Sequence, residues 1–137
     1  MKTIQASEIR KMTKALWPEI GFQWLTDKKF SVPKLEQLKA FLSISELDKQ
    51  EFIDHAQDCD DFALQLHAEA KRYFVQKEEL KYPLAFGECF ATRWAGFKKK
   101  HNANICVCED GIYLIEPQTD EIRKANSKTD NILIVRM

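Results

Sequence analysis

The chain has 137 residues, enough for one domain with a real core, and 45% of them are apolar. Its 21 basic and 21 acidic side chains cancel, which removes any electrostatic drive toward nucleic acid or anionic lipid. No apolar run reaches membrane-helix length, the start MKTIQASEIRKM has no secretory h-region, and four cysteines are too few for a secreted disulfide framework; the expectation is a single cytoplasmic domain over 1–137 with reduced thiols.

Ile9, Met12, Thr13 and Leu16 recur at helical spacing after Ser7, a candidate N-cap, and predict a helix over 7–16 closed by Pro18 and Gly21. Phe22 to Leu25 alternates weakly, as a short strand does. Ser31-Val-Pro-Lys-Leu-Glu reads as a helix start with Ser31 as N-cap and an incomplete capping box, since Lys34 stands where the acid belongs. Leu35, Leu38 and Leu42 line one face of that helix, and Ser45 opens a short second one, SELDKQEFI.

The plainest helix covers 59–76, with Phe62, Ala63, Leu66, Ala70, Tyr73 and Phe74 on a broad apolar stripe. Asp58, Asp60 and Asp61 crowd its first turn, where the helix dipole favours negative charge. After Pro83 the pattern changes to strands: Leu84 to Trp94, with Gly87 as a bulge or close-approach point, then Asn102 to Cys108 and Ile112 to Glu116 around the turn Glu109-Asp110-Gly111. Residues 120–130 are polar and read as a loop, and Asn131 to Val135 is the last strand. Helices first and an antiparallel sheet after them give an α+β class, with a central Cys-bearing helix packed on a C-terminal sheet.

Three residues could carry chemistry together. Cys59 opens the central helix, where unpaired N–H groups and the dipole stabilise a thiolate and so favour a nucleophile; the three aspartates oppose this, so the thiol needs a cationic neighbour or a metal ion. His101 starts a strand, which holds a general base rigidly. Glu116 lies on the next strand of the same hairpin. If the turn residues are Glu109-Asp110, Ala103 faces Glu116, and His101 and Glu116 are diagonal neighbours on one face, roughly 7–8 Å apart at the backbone. If Asp110-Gly111 makes the turn, the offset doubles. Each residue also has a plain structural reading: a small buried thiol, a structural histidine, a strand end in solvent. For the oxyanion, the Cys59 N–H is a natural donor and Gln57 is a nearby side-chain amide.

The segments Asp58-Cys59-Asp60-Asp61-Phe62-Ala63, His101-x-x-Asn104 and Ile115-Glu116-Pro117-Gln118-Thr119 together resemble the MOA-related family. This is the papain-like cysteine-peptidase module at the C-terminus of a fungal agglutinin, with phage and bacterial relatives. The resemblance covers residues 22 to 120, and the 42 residues from Cys59 to His101 are consistent with it. It implies a papain-like/transglutaminase-like fold and a peptide or protein substrate, with Cys59 as nucleophile, His101 as base and Glu116 as third member. It also implies dependence on Ca²⁺ or Mn²⁺, with Asp60 and Gln118 as ligands, both hard oxygen donors. The chain departs from the family at Lys100 and Asn102, where relatives have small residues beside the histidine, and it carries no lectin domain. Two rivals share the fold: a catalytically silent binding or phage accessory module, and an amine acyltransferase.

Other signals are weaker. Cys106-Val-Cys108 with Cys89 has poor spacing for tetrahedral zinc, and Cys106 and Cys108 fall on the face opposite His101 as buried thiols. Lys98-Lys99-Lys100 reads as a solvated loop.

Overall fold

The computed structural model describes residues 1–137. Its centre is a six-stranded sheet in the order β2-β8-β4-β5-β6-β7. The strands are β2 (Phe22–Trp24), β4 (Phe86–Trp94), β5 (Phe97–Cys108), β6 (Gly111–Glu116), β7 (Glu121–Lys124) and β8 (Asn131–Arg136). All neighbours run antiparallel except β2 and β8, which are parallel. A separate ribbon joins β1 (Lys2–Gln5) to β3 (Lys29–Val32). The helices are α1 (Ala6–Leu16), α2 (Leu35–Ile44) and α3 (Cys59–Glu78). None is long and apolar enough to cross a membrane.

Period-two alternation in β4, β5 and β6 sends apolar side chains to both sheet faces, so the sheet is covered twice. On one face Cys89, Ala103, Ile105, Leu114 and Val135 pack with Ile9 and Trp17 from α1 and its exit and Phe30 from the ribbon. On the other, Phe86, Cys106 and Ile115 pack with Leu38 and Phe41 of α2 and Phe62, Leu66 and Phe74 of α3. The expected α+β class holds, with the Cys-bearing helix on the sheet. Cys106 and Cys108 lie buried on the α3 side, as the alternation required.

Several boundaries differ. The helix expected from Ser7 starts at Ala6 with Gln5 as N-cap, because the Ala6 N–H is drawn to the Lys28 carbonyl at 2.9 Å. Ser31 caps nothing. It lies buried in β3, donating from Oγ to the Tyr82 carbonyl at 2.8 Å, and α2 begins four residues later behind Lys34. There the Gln37 side chain accepts from the Lys34 N–H at 2.8 Å, the half of a capping box this sequence can make. The helix expected from Ser45 shrinks to a 3-10 turn at Leu47–Lys49. The polar stretch 120–130 contains an edge strand, β7, whose Ile122 faces Ile115 while Glu121 and Lys124 stay in solvent. An edge strand with one wet side need not look apolar.

Gly87 is a close-approach point. A Cβ there would sit 1.8 Å from the backbone oxygen of Arg136 on β8. Gly87→Ala is therefore expected to force β4 from β8 and destabilise the chain by about 1–3 kcal/mol or more, read as a lower urea midpoint. An unchanged midpoint would mean the two strands have room to part.

Candidate active site

The β5–β6 hairpin closes with Cys108 opposite Gly111, so Glu109 and Asp110 make the turn and Asn104 faces Ile115. Of the two registers open in the sequence, this is the one that leaves His101 and Glu116 as diagonal neighbours. Their side chains close the gap: His101 Nε2 lies 2.5 Å from Glu116 Oε2. Both groups are largely buried. A carboxylate on Nε2 holds the proton there and leaves Nδ1 with its lone pair free, the form a general base needs.

Residues that sequence reasoning overlooked hold the imidazole in place. Trp94, at the end of β4, tilts over the ring with centroids 5.0 Å apart. The Arg123 guanidinium lies 4.5 Å above the Trp94 ring. Arg123 in turn grips Asp130 through two hydrogen bonds of 2.6 and 2.7 Å. Asp130 is fully buried and also accepts from the Ala95 N–H at 3.0 Å. Burial alone would push Asp130 up, but the Arg123 and Ala95 hydrogen bonds and the Arg123 charge hold it below the ordinary carboxylate range. The column Asp130–Arg123–Trp94–His101 joins three strands and the loop before β8, residues with no common sequence spacing. The only clue was that Arg123 and Asp130 sit in a stretch otherwise read as loop. An open cavity of about 380 Å³ borders this column, lined by Phe97, His101, Glu116 and Gln118 among others.

Cys59 stands at the first position of α3, half-buried. Its hydrogen-bond partner is Asn102, whose Nδ2 lies 3.8 Å from Sγ. His101 and Asn102 are consecutive on β5 and leave it on opposite sides. The thiol is thus placed against the residue next to His101, and His101 itself hydrogen-bonds Glu116 rather than the thiol. Asn104 anchors the helix to the strand, donating from Nδ2 to the carbonyls of Ala63 and Gly87 at 2.8 and 3.0 Å. The remaining thiols are inert by position: burial pushes Cys89 and Cys106 well up. Gln57 is not free to serve an oxyanion, because its amide is doubly bonded to that of Gln65 at 3.0 and 3.1 Å. The Cys59 N–H, in the first turn of α3, needs no partner within the helix.

The carboxylates of Asp58, Asp60 and Asp61 lie within 4.8 Å of one another. The Asp60 hydrogen bond, then burial, then the charges of Asp60 and Asp61 push Asp58 up to about 6. A raised acid favours the folded state only while protonated. Repulsion therefore sets in as pH rises from 3.8 toward about 6 and is complete above that. Asp60→Asn is expected to raise the thermal midpoint at pH 7.5 and to change it much less at pH 4.5. An equal change at both would remove the repulsion from the account. Gln118 is elsewhere, on the His101 and Glu116 cavity, with its backbone N–H 3.4 Å from Glu116 Oε1.

The chain matches no family model and no curated protein. It is similar to several solved chains, two of them as follows. One is Polyporus squamosus lectin bound to a human-type influenza-binding epitope, Neu5Acα2-6Galβ1-4GlcNAc, at TM-score 0.80 and 17% identity, over 98% of this chain and 49% of that one. The other is a PSL1a–E64 complex at TM-score 0.78 and 17% identity, over 98% and 50%. The chain thus spans about half the length of the structures it matches, and at this identity the likeness shows the fold alone.

Proposed function

We propose that this chain is a papain-like cysteine hydrolase of amide bonds, in a single domain. Cys59 would be the nucleophile, His101 the base and Glu116 the group that orients the base. The observation that carries the reading is the His101–Glu116 pair, a buried carboxylate that fixes the imidazole tautomer one residue from the strand position touching the helix-start thiol. In the reaction Cys59 Sγ adds to the substrate carbonyl carbon and its proton passes to His101 Nδ1. The C–N bond then breaks and that proton leaves on the amine. Water next adds to the thioester while its proton goes to Nδ1, the C–S bond breaks, and the thiol is restored. His101 leaves β5 on the side away from Asn102 and Cys59, so this reading requires the strand around His101 to shift when substrate seats, and not a side-chain turn alone, to bring Nδ1 to Sγ.

The Asp58, Asp60 and Asp61 set suits a hard cation, since three crowded carboxylates gain by sharing one. Ca²⁺ or Mn²⁺ would be held by Asp60 together with Asp58 and Asp61; Gln118, the further ligand that the sequence resemblance suggests, lies on the His101 and Glu116 cavity instead. Bound there, the ion would supply the positive charge that offsets the aspartates around Cys59. A Ca²⁺-dependent rise in thermal midpoint at pH 7.5, lost in Asp60→Asn, is the expected result.

The comparisons favour a second reading. One matched structure is a lectin holding a sialylated trisaccharide, so a catalytically silent binding module on the same fold, with a glycan as its ligand, is the rival. The other was solved with E64, an epoxide that alkylates activated thiols. An amine acyltransferase would use the same acyl-enzyme with an amine in place of water.

The deciding experiment is the alkylation rate of Cys59 by E64 and by iodoacetamide. Comparison with Cys89, Cys106 and Cys108 would be uninformative, since those three are buried. The comparison that counts is with His101→Ala. A fall of about 100-fold or more in Cys59 labelling supports the hydrolase. An unchanged rate defeats it and leaves the glycan-binding module as the better account.

A further inference from the structure

Helix α3 covers β4 and β5 but stops short of β8 and β2. On that uncovered half of the face the registers line up across four strands. Asn102 faces Phe90, Phe90 faces Ile134, and Ile134 faces Phe22. The next row toward the far end is Asn104, Glu88, Arg136 and Trp24. The first row begins at the amide that touches the Cys59 thiol and is apolar from there outward. Ile134 and Phe22 are 42% and 59% exposed, and Trp24 is 53% exposed. Such side chains on one continuous sheet face are not scattered surface residues. Glu88, Phe90, Asn102, Ile134 and Arg136 also wall a hollow of about 250 Å³.

Most polar groups beside the hollow are already engaged, though Asn104 Oδ1 and His67 Nε2 have no partner. Glu88 pairs with His67 Nδ1 at 2.8 Å and with Arg136 at 3.8 Å. The Arg136 guanidinium also lies over the Trp24 ring at 5.2 Å, and the Asn104 Nδ2 donates to two carbonyls. A sugar needs a fan of free donors and acceptors, and the Phe90–Ile134–Phe22 row offers none. An apolar side chain needs only the area. Three strand spacings of about 4.8 Å make the row roughly 14 Å long, the reach of about four residues of extended peptide at about 3.3 Å each.

We propose that the row Asn102–Phe90–Ile134–Phe22 is the substrate subsite, selecting an extended peptide with apolar side chains on one side of the bond that Cys59 attacks. The proposal rests on the hydrolase reading for its orientation toward Cys59, and it assigns Phe90, Ile134 and Phe22 as specificity-determining residues.

The test is binding, measured calorimetrically on the full chain carrying Cys59→Ser so that no turnover intervenes. The probes are an acetylated pentapeptide amide of Leu and Phe, one of equal length made of Ser and Asn, and the trisaccharide Neu5Acα2-6Galβ1-4GlcNAc. The expected result is at least tenfold tighter binding of the apolar peptide, with the preference erased by Ile134→Lys and by Phe22→Ala. Both changes fall on exposed strand positions, and the pair keeps the result readable if one variant folds poorly. Equal binding of the two peptides overturns the proposal. So does a preference that survives both substitutions, or trisaccharide binding that Ile134→Lys abolishes. A peptide preference alongside a Cys59 rate indifferent to His101→Ala would keep the subsite and remove the hydrolase, so the two failures are distinct.

Discussion

Asp130→Ala is expected to cost the fold about 3–5 kcal/mol, seen as a large fall in the urea midpoint. Asp130 has no exposure, and its two oxygens take both Arg123 hydrogen bonds, the Ala95 N–H and the Thr129 hydroxyl at 3.0 Å. Truncation leaves a largely buried guanidinium without its counter-charge and an N–H without its acceptor, and the penalty is that of stranding them rather than of losing a contact. The pH dependence follows from the direction of the Asp130 shift. Its folded value is depressed, so its stabilisation is present above 3.8 and lost as pH falls through the folded value. The gap between wild type and variant should therefore close in acid. A loss under 1 kcal/mol would show that Arg123 finds water instead, and that Trp94 needs no support from it.

If the proposed hydrolase reading holds, Glu116→Gln is expected to lower hydrolysis of a peptide amide by about 10³–10⁴-fold while leaving the urea midpoint nearly unchanged. The substitution keeps shape and removes charge. Glutamine can meet His101 Nε2 through its carbonyl, but it no longer stabilises an imidazolium and also admits the opposite tautomer. The loss should fall on kcat rather than KM, because Glu116 bonds His101, the proposed base, and lies off the proposed substrate row. A loss below tenfold would show that the pair at 2.5 Å serves the fold alone.

The hairpin register was nearly legible, because alternation and an Asp-Gly turn left only two choices and both kept His101 and Glu116 on one face. The α3 stripe was legible for the same reason: Phe62, Leu66, Ala70 and Phe74 all lie buried where the period puts them. Helix starts were less so. Ser31 looks like a cap by type, yet its hydroxyl was claimed by Tyr82, 51 residues away, and local propensity holds no record of a distant acceptor. β1 escaped notice because its four residues are mostly solvent-facing and owe their strand form to β3. The support of His101 by Trp94, Arg123 and Asp130 was hidden for a similar reason, since a stack of ring, guanidinium and carboxylate has no period. Asn102 was seen only as a departure from the family at the flank of the histidine; the structure makes it the contact of Cys59.

The parallel pairing of β2 with β8 has a bearing on the order of assembly. Thr26 donates to the Met137 carbonyl across 111 residues of chain, and Phe22 and Trp24 find their register only on Ile134 and Arg136. Closing so long a loop is entropically slow and is rewarded only when both ends are present. During synthesis the helices and the β4–β6 meander can condense first, with Cys59, His101 and Glu116 already in place. The apolar row beside the thiol stays unmade until the last strand arrives. Any reactivity would thus precede selectivity, and a chain interrupted before residue 131 would carry the proposed nucleophile without the surface proposed to choose its substrate.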